Sequence, residues 1–137
     1  MKNVLLYIWQ FPQNVLGLLL WGVLRIAGKF DYAAIYPHYP FKLILTPIPG
    51  FGVTLGKYIF IGKLNAPDVE IHHEKGHGIQ SRRFGLIYLF AVGIPSLILS
   101  FRHRVLHRGW TYEARQKWYY SRWPENNADK LGGVKRG

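Results

Sequence analysis

The most prominent pattern along the chain is a pair of long segments without charged side chains. The first covers residues 4–24 and is interrupted by polar residues around Pro12. Roughly 20 apolar residues cross a bilayer, so the pattern predicts either a membrane span or an interfacial helix that bends at Pro12. Trp9 and Trp21 favour a membrane location, because amphipathic aromatic rings accumulate at interfacial depth.

The second uncharged segment covers residues 84–101 and has arginines on both sides. Its length is typical of a membrane helix, but Gly93 and Pro95 lie near its centre. Proline removes a backbone donor and clashes with the preceding helical turn. We therefore expect two half-helices that form a re-entrant hairpin. A complete span and a kinked core helix are the alternatives that the pattern leaves open.

Between these segments the pattern changes to short runs of β-branched and aromatic residues, which are typical of strands. Such runs occupy Lys42–Thr46 and Gly52–Ile61, and Pro47–Gly50 is predicted to form the turn between them. We therefore expect one β-hairpin over residues 42–61, with an exposed edge.

A helical pattern follows over residues 66–83, with Asn65 as its predicted N-cap. This helix contains the motif HExxH. Its two histidines, His73 and His77, lie four residues apart and leave the same helix face, where two imidazoles can bind one zinc ion. Glu74 lies beside them and can take a proton from a zinc-bound water. The alternative is a solvated helix face that carries these residues by chance.

A second short helix, over residues 124–131, offers a further metal ligand. Pro124 suits its start, and two glycines end it. Glu125 and Asp129 share one face of this helix. Glu125 could complete the metal shell, and Asp129 could orient a ligand histidine. His72 points roughly 100° away from His73, so we expect it to stay outside the metal shell.

Composition and charge narrow the class of protein. The chain has 137 residues, which is enough for one domain over residues 1–137. It has no cysteine, so disulfides and thiolate zinc sites are excluded. The net charge of +11 predicts an anionic partner. We expect anionic lipid headgroups and no nucleic acid, because the basic residues are spread along the chain and no nucleic-acid-binding motif occurs.

The HExxH motif followed by Glu125-Asn126-Asn127-Ala128-Asp129 resembles the zincin metalloproteases of the gluzincin branch, of which thermolysin is the familiar member. The resemblance implies Zn²⁺ held by His73, His77 and Glu125, with Glu74 as general base and Asp129 behind a ligand histidine. It also implies an edge strand before the motif, to which the substrate backbone adds. Gly52–Ile61 lies in that place. This short, apolar chain is more similar to the small integral-membrane members of the class.

The sequence thus predicts an α+β fold: a mostly helical, membrane-associated domain with one β-hairpin or small sheet next to the active-site helix. We expect a zinc-dependent hydrolase, and more narrowly a peptidase acting on a peptide or protein. Tyr119 or Tyr120 could donate a hydrogen bond to the developing oxyanion. The alternative is a non-catalytic membrane protein with a structural metal site, or with a basic surface for partner or lipid docking.

The expected location is the inner, or cytoplasmic, membrane. Only Lys2 precedes the first apolar segment, whereas Arg25 and Lys29 follow it. Because positive charge is retained inside, the catalytic side is predicted to face the cytoplasm.

Overall fold

The computed structural model describes residues 1–29, 32–35, 41–62 and 68–136. Two helices, four strands and four further α-helices follow one another in the order α1 (Lys2–Trp9), α2 (Phe11–Ile26), β1 (Tyr32–Ile35), β2 (Lys42–Thr46), β3 (Gly52–Leu55), β4 (Tyr58–Gly62), α3 (Asp68–Phe84), α4 (Ile94–Phe101), α5 (Tyr112–Tyr120) and α6 (Glu125–Gly132) in the described part of the chain. The predicted α+β class, mostly helical with a small sheet, is confirmed. The predicted N-cap Asn65 lies outside the described residues.

The sheet has four strands in the order β1-β2-β4-β3, and β3 forms one edge of it as described. The predicted hairpin over residues 42–61 is wrong in its pairing, because β2 runs parallel to β4 and the hairpin is β3–β4. Its turn lies at Gly56, whose φ is +63° and where a Cβ would clash with Asn14. This glycine splits the long run of strand-forming residues into two strands, so Pro47–Gly50 lies in the loop that joins β2 to β3 past the end of β4.

The sheet is covered on both faces. On one face α2 packs onto the sheet through a cluster that contains Leu24, Ile44, Tyr58 and Phe60. On the other face Ile71 of α3 packs against a second cluster, formed by Phe41, Leu43, Ile59 and Ile61. All of β4 is buried, as expected for a central strand with helices on both sides.

The first apolar segment forms two helices, α1 and α2, that are bent by 87°. The break lies at Gln10, and Pro12 lies in the first turn of α2, where proline is tolerated. The polar residues at the bend face α3: both Gln10 and Gln13 donate to the Ser81 hydroxyl, at 2.6 and 3.1 Å. The polar interruption in the sequence therefore attaches the N-terminal helices to the helix that carries HExxH.

The second apolar segment does not turn at Gly93 and Pro95. Helix α3 ends at Phe84, the next residue, Gly85, has a φ of +53°, and the chain is then helical from Leu89 to Leu106. A π-helical turn over Leu89–Gly93 precedes the proline and accommodates its ring and missing donor. The predicted re-entrant hairpin is therefore wrong. We call Leu89–Leu106 the apolar helix.

The apolar helix is long and apolar enough to cross a membrane. The bent pair α1–α2 meets the same requirements of length and composition when it is counted as one span. Buried core helices and signal sequences meet the same criteria. The membrane association of these segments therefore stays a prediction.

Helix α6 packs directly on α3. A Cβ at Gly76 would clash with the carbonyl of Ala128, and a Cβ at Gly132 would clash with the carbonyl of His72. Helix α6 ends at Gly133, whose φ of +74° is favourable only for glycine, as the sequence predicts. The close approach of these two helices brings the HExxH residues against Glu125 and Asp129.

Candidate metal centre

The two predicted ligand sets meet at the interface between α3 and α6. Nε2 of His73 lies 2.9 Å from Oε2 of Glu125, and Nε2 of His77 lies 3.0 Å from the same oxygen. One ligand atom from each residue lies within 4.8 Å of the other two, and all three residues are buried. His73, His77 and Glu125 therefore form a buried group that could hold a metal ion; we call it the metal cluster.

The far side of each imidazole is fixed by a hydrogen-bond acceptor. His73 Nδ1 donates to Oδ1 of Asp129 at 2.7 Å, and His77 Nδ1 donates to Oε1 of Gln80 at 2.8 Å. The Gln80 amide nitrogen donates to the Pro124 carbonyl, which directs its oxygen toward His77. Because a neutral imidazole carries one N–H, both Nε2 atoms then present lone pairs to Glu125.

This arrangement is favourable only with positive charge at its centre. Two lone pairs and a carboxylate oxygen repel one another unless a cation or additional protons lie between them. A metal ion meets this requirement with both rings neutral, since a ligating histidine donates its other ring N–H to an acceptor. In its absence both rings must be protonated and pair with Glu125 as salt bridges.

The pKa values of the metal-free cluster show the same preference. Burial lowers the pKa of His73, but its hydrogen bonds with Asp129 and Glu125 outweigh burial and raise that pKa to about 10. For His77, burial is likewise outweighed by Glu125, and its pKa is raised. Burial raises the pKa of Glu125, but both histidines lower it well below its usual range. The metal-free cluster therefore stabilises positive charge, in the form of protons on the two histidines.

Glu74 lies between α3 and the edge strand β3. Its Oε2 is 2.6 Å from the Thr54 hydroxyl, and a Cβ at Gly52 would lie 2.9 Å from its Oε1. Burial raises the pKa of Glu74, and the nearby His77 and His73 oppose this shift. A carboxylate with a raised pKa, held beside a group of metal ligands, is suited to accept and return a proton.

A cleft of about 660 Å³ opens beside the cluster, lined by His73 and Glu74 on one side and by Gly52 of the edge strand on another. Tyr119 and Tyr120, the predicted oxyanion donors, line the same cleft. Burial raises the pKa of both phenols, so both remain protonated donors. One cleft is therefore lined by a predicted metal ligand, the predicted general base and both predicted oxyanion donors.

The structure also adds residues that sequence reasoning missed. Ser96 of the apolar helix donates to Oε1 of Glu125 at 2.5 Å. Arg136 contacts both oxygens of Asp129, with its Nε 2.7 Å from Oδ2 and its Nη2 3.1 Å from Oδ1. The three-residue spacing from His77 could have indicated Gln80, but no local pattern indicates Ser96 or Arg136.

Other nearby candidates lie outside the metal cluster. His72 is exposed, with its Nδ1 2.7 Å from the Asp68 carbonyl. Glu70 pairs with Arg136 at 3.4 Å, and Glu113 is exposed in the first turn of α5. His103 lines the cleft, but among the described residues its buried Nε2 has no hydrogen-bond partner.

Comparison with protein-family models, curated proteins and solved structures found no match for this chain.

Proposed function

We propose that the protein is a zinc-dependent hydrolase, and more narrowly a peptidase. His73, His77 and Glu125 would hold the zinc ion, and Glu74 would act as general base. The observation that carries this proposal is the convergence of both Nε2 atoms on one oxygen of Glu125, with each Nδ1 already committed to an acceptor. Zinc is the metal we favour, because two imidazoles and one carboxylate are a ligand set of catalytic zinc sites.

The division of roles follows from the surroundings of each side chain. Bound zinc would polarise the substrate carbonyl and acidify a water molecule. Glu74 would accept the proton of that water and pass it to the leaving amine, for which a buried carboxylate with a raised pKa is suited. Tyr119 or Tyr120 would donate a hydrogen bond to the developing oxyanion.

A catalytic site is favoured over a structural one. Structural zinc sites are closed by four protein ligands, whereas catalytic sites keep one position open. In the described part of the chain, His73, His77 and Glu125 form a group that could hold a metal ion with three protein ligands. His73 also lines the open cleft next to Glu74. A small molecule or peptide could therefore reach the metal from the cleft.

The edge strand indicates a peptide substrate. β3 is at an edge of the described sheet, and its Thr54 contacts Glu74 directly. An extended peptide can add to such an edge through main-chain hydrogen bonds. Gly52 leaves that edge free of a side chain beside the Glu74 carboxylate. The scissile bond would then lie across the cleft, next to Glu74.

We further propose that the enzyme works at the inner, or cytoplasmic, membrane, with the cleft on the cytoplasmic side. The outer face of the apolar helix is exposed at Phe90, Leu97 and Phe101, and such a continuous apolar face is typical of a membrane or protein contact. The net charge of +11 complements anionic lipid headgroups. Through Ser96, the same helix contacts Glu125.

Glu74→Gln separates catalysis from metal binding. Gln keeps the size of the side chain but cannot accept the proton, so peptide hydrolysis by the zinc-loaded protein is expected to fall by at least about 100-fold. Zinc content should stay unchanged, because Glu74 lies outside the metal cluster. The matched control is Glu113→Gln, which removes an exposed carboxylate.

Two outcomes would contradict the proposal. Loss of zinc from Glu74→Gln would make Glu74 structural. Unchanged hydrolysis by Glu74→Gln would remove it from the reaction.

A further inference from the structure

A second cavity of about 370 Å³ lies between the bent helices α1–α2 and the sheet. Its lining shares no residue with the cleft beside the metal cluster. Its volume falls within the range of small-molecule sites, roughly 300–1,000 Å³. Lys42, Lys57 and Arg82 lie in its wall together with Tyr7 and Tyr58.

The two lysines are neighbours in the fold although they are far apart in sequence. The backbone N–H of Lys42 donates to the Lys57 carbonyl at 2.6 Å, where β2 and β4 begin side by side. The Lys57 N–H donates in turn to the buried Asn14 side chain at the start of α2. Both ammonium groups are therefore carried by backbone that is fixed by hydrogen bonds.

Each cation of the cavity also rests on an aromatic ring. Lys42 Nζ lies 3.2 Å from the ring centroid of Trp21, and Lys57 Nζ lies 4.7 Å from that of Tyr7. The guanidinium carbon of Arg82 lies 5.4 Å from the Phe41 ring centroid. Aromatic rings attract cations without neutralising them, so the ammonium groups of Lys42 and Lys57 are held in place while keeping their full charge.

No acidic residue among those described lines this cavity. Neither lysine forms an ion pair with a described acid. The pKa of Lys42 is lowered by burial and by the nearby charges of Lys57 and Arg25. Lys42 and Lys57 therefore repel one another, and an anion between them would relieve that repulsion.

We propose that this cavity binds a phosphate group. A phosphate carries up to two negative charges and several acceptor oxygens, which matches the two ammonium groups of Lys42 and Lys57 better than the single charge of a carboxylate does. The group could belong to a lipid headgroup or to a soluble phosphate. Leu6, Tyr7 and Phe41 give the cavity an apolar wall, and Val4 and Leu5 of α1 are exposed. We therefore expect the lipid to bind more tightly.

The test is a calorimetric titration of the purified full chain in uncharged detergent with inorganic phosphate and with short-chain phosphatidic acid. The double variant Lys42→Gln/Lys57→Gln is expected to bind both probes at least about tenfold more weakly than the wild type, because it loses two charge-assisted contacts. The control Lys117→Gln/Lys130→Gln removes the same charge from exposed positions outside the cavity, and should bind both probes as the wild type does.

The two probes distinguish the sources of the phosphate. Tighter binding of phosphatidic acid would assign a lipid headgroup, and tighter binding of inorganic phosphate would assign a soluble phosphate. Equal weakening in both double variants would overturn the proposal, since attraction by the overall charge would then explain binding. The proposal would also be overturned if the wild type bound neither inorganic phosphate nor phosphatidic acid. A melting curve of each variant checks that it is folded, and the single variant Lys57→Gln replaces the double variant if the latter is not. Phosphate binding is measured without reference to the metal cluster, so the test is independent of the proposed function.

Discussion

At the scale of single residues, the metal cluster depends on the acceptors that hold its histidines from behind. Asp129 receives the Nδ1–H of His73 and is itself held by Arg136. The side-chain oxygen of Gln80 accepts the Nδ1–H of His77 in the same way. The pairing of His73 with His77 could be predicted from their four-residue spacing, whereas Glu125, 48 residues after His77, is indicated by the resemblance to the gluzincins. Arg136 could not be predicted, because its contact with Asp129 exists only after the C-terminal segment folds back on α6.

Removing the acceptor behind His73 should weaken the metal site without removing a ligand. Asp129→Ala is expected to lower zinc affinity by about 10–100-fold, because the His73 ring loses its orienting partner. Asp68→Ala is the control, since Asp68 is exposed at the start of α3. Competition with a chromophoric zinc chelator measures both affinities. Equal affinity in the two variants would contradict the role given to Asp129.

The raised pKa of His73 makes the stability of the metal-free protein depend on pH. In that state its pKa is raised from 6.5 to about 10. A raised pKa gives stability that is complete below the unfolded value and is lost as pH rises through the folded value. With a chelator present, the melting temperature should therefore fall between pH 6.5 and 10. A His73→Gln variant should show a smaller fall, and an equal fall would assign the effect to other groups.

At the scale of elements, the sequence predicts where the strands lie but not how they pair. Lys42–Thr46 and the run that begins at Gly52 do form strands. Their composition cannot distinguish antiparallel from parallel pairing, because both need the same β-branched residues. Gly56 was the available signal for the turn. Likewise, Pro95 is a local helix breaker, but the π-helical turn before it keeps the apolar helix continuous.

The contact between α3 and α6 depends on a residue without a side chain. Gly76→Ala places a methyl group against the Ala128 backbone, and overpacking of this kind costs about 1–3 kcal/mol. The control Gly109→Ala adds its methyl group in open space and should change the free energy of unfolding by less than about 0.5 kcal/mol. Chemical denaturation measures both. Similar stability of the two variants would show that α6 can shift on α3.

At the scale of the whole molecule, charge and apolar surface are unevenly distributed. The chain has 7 acidic residues against 18 lysines and arginines, and Glu74, Glu125 and Asp129 are buried in the candidate site. The exposed apolar side chains belong largely to α1, α2 and the apolar helix. This distribution supports the proposed location at an anionic membrane.

The orientation in the membrane can be tested cleanly because the chain has no cysteine. Lys29→Cys and Lys135→Cys each introduce a single thiol at an exposed position. An impermeant maleimide should label neither thiol in intact cells and both after lysis, because the proposed orientation places both on the cytoplasmic side. Labelling of either thiol from outside intact cells would contradict that orientation.

The metal content of the purified full chain tests the metal centre most directly, with His73→Ala compared against His72→Ala. The two histidines are adjacent in sequence, but His73 is buried in the metal cluster and His72 is exposed. After zinc loading and removal of free metal, the wild type and His72→Ala should each retain one zinc ion per chain, and His73→Ala should retain little. Equal zinc in the two variants, or none in the wild type, would contradict the proposed centre.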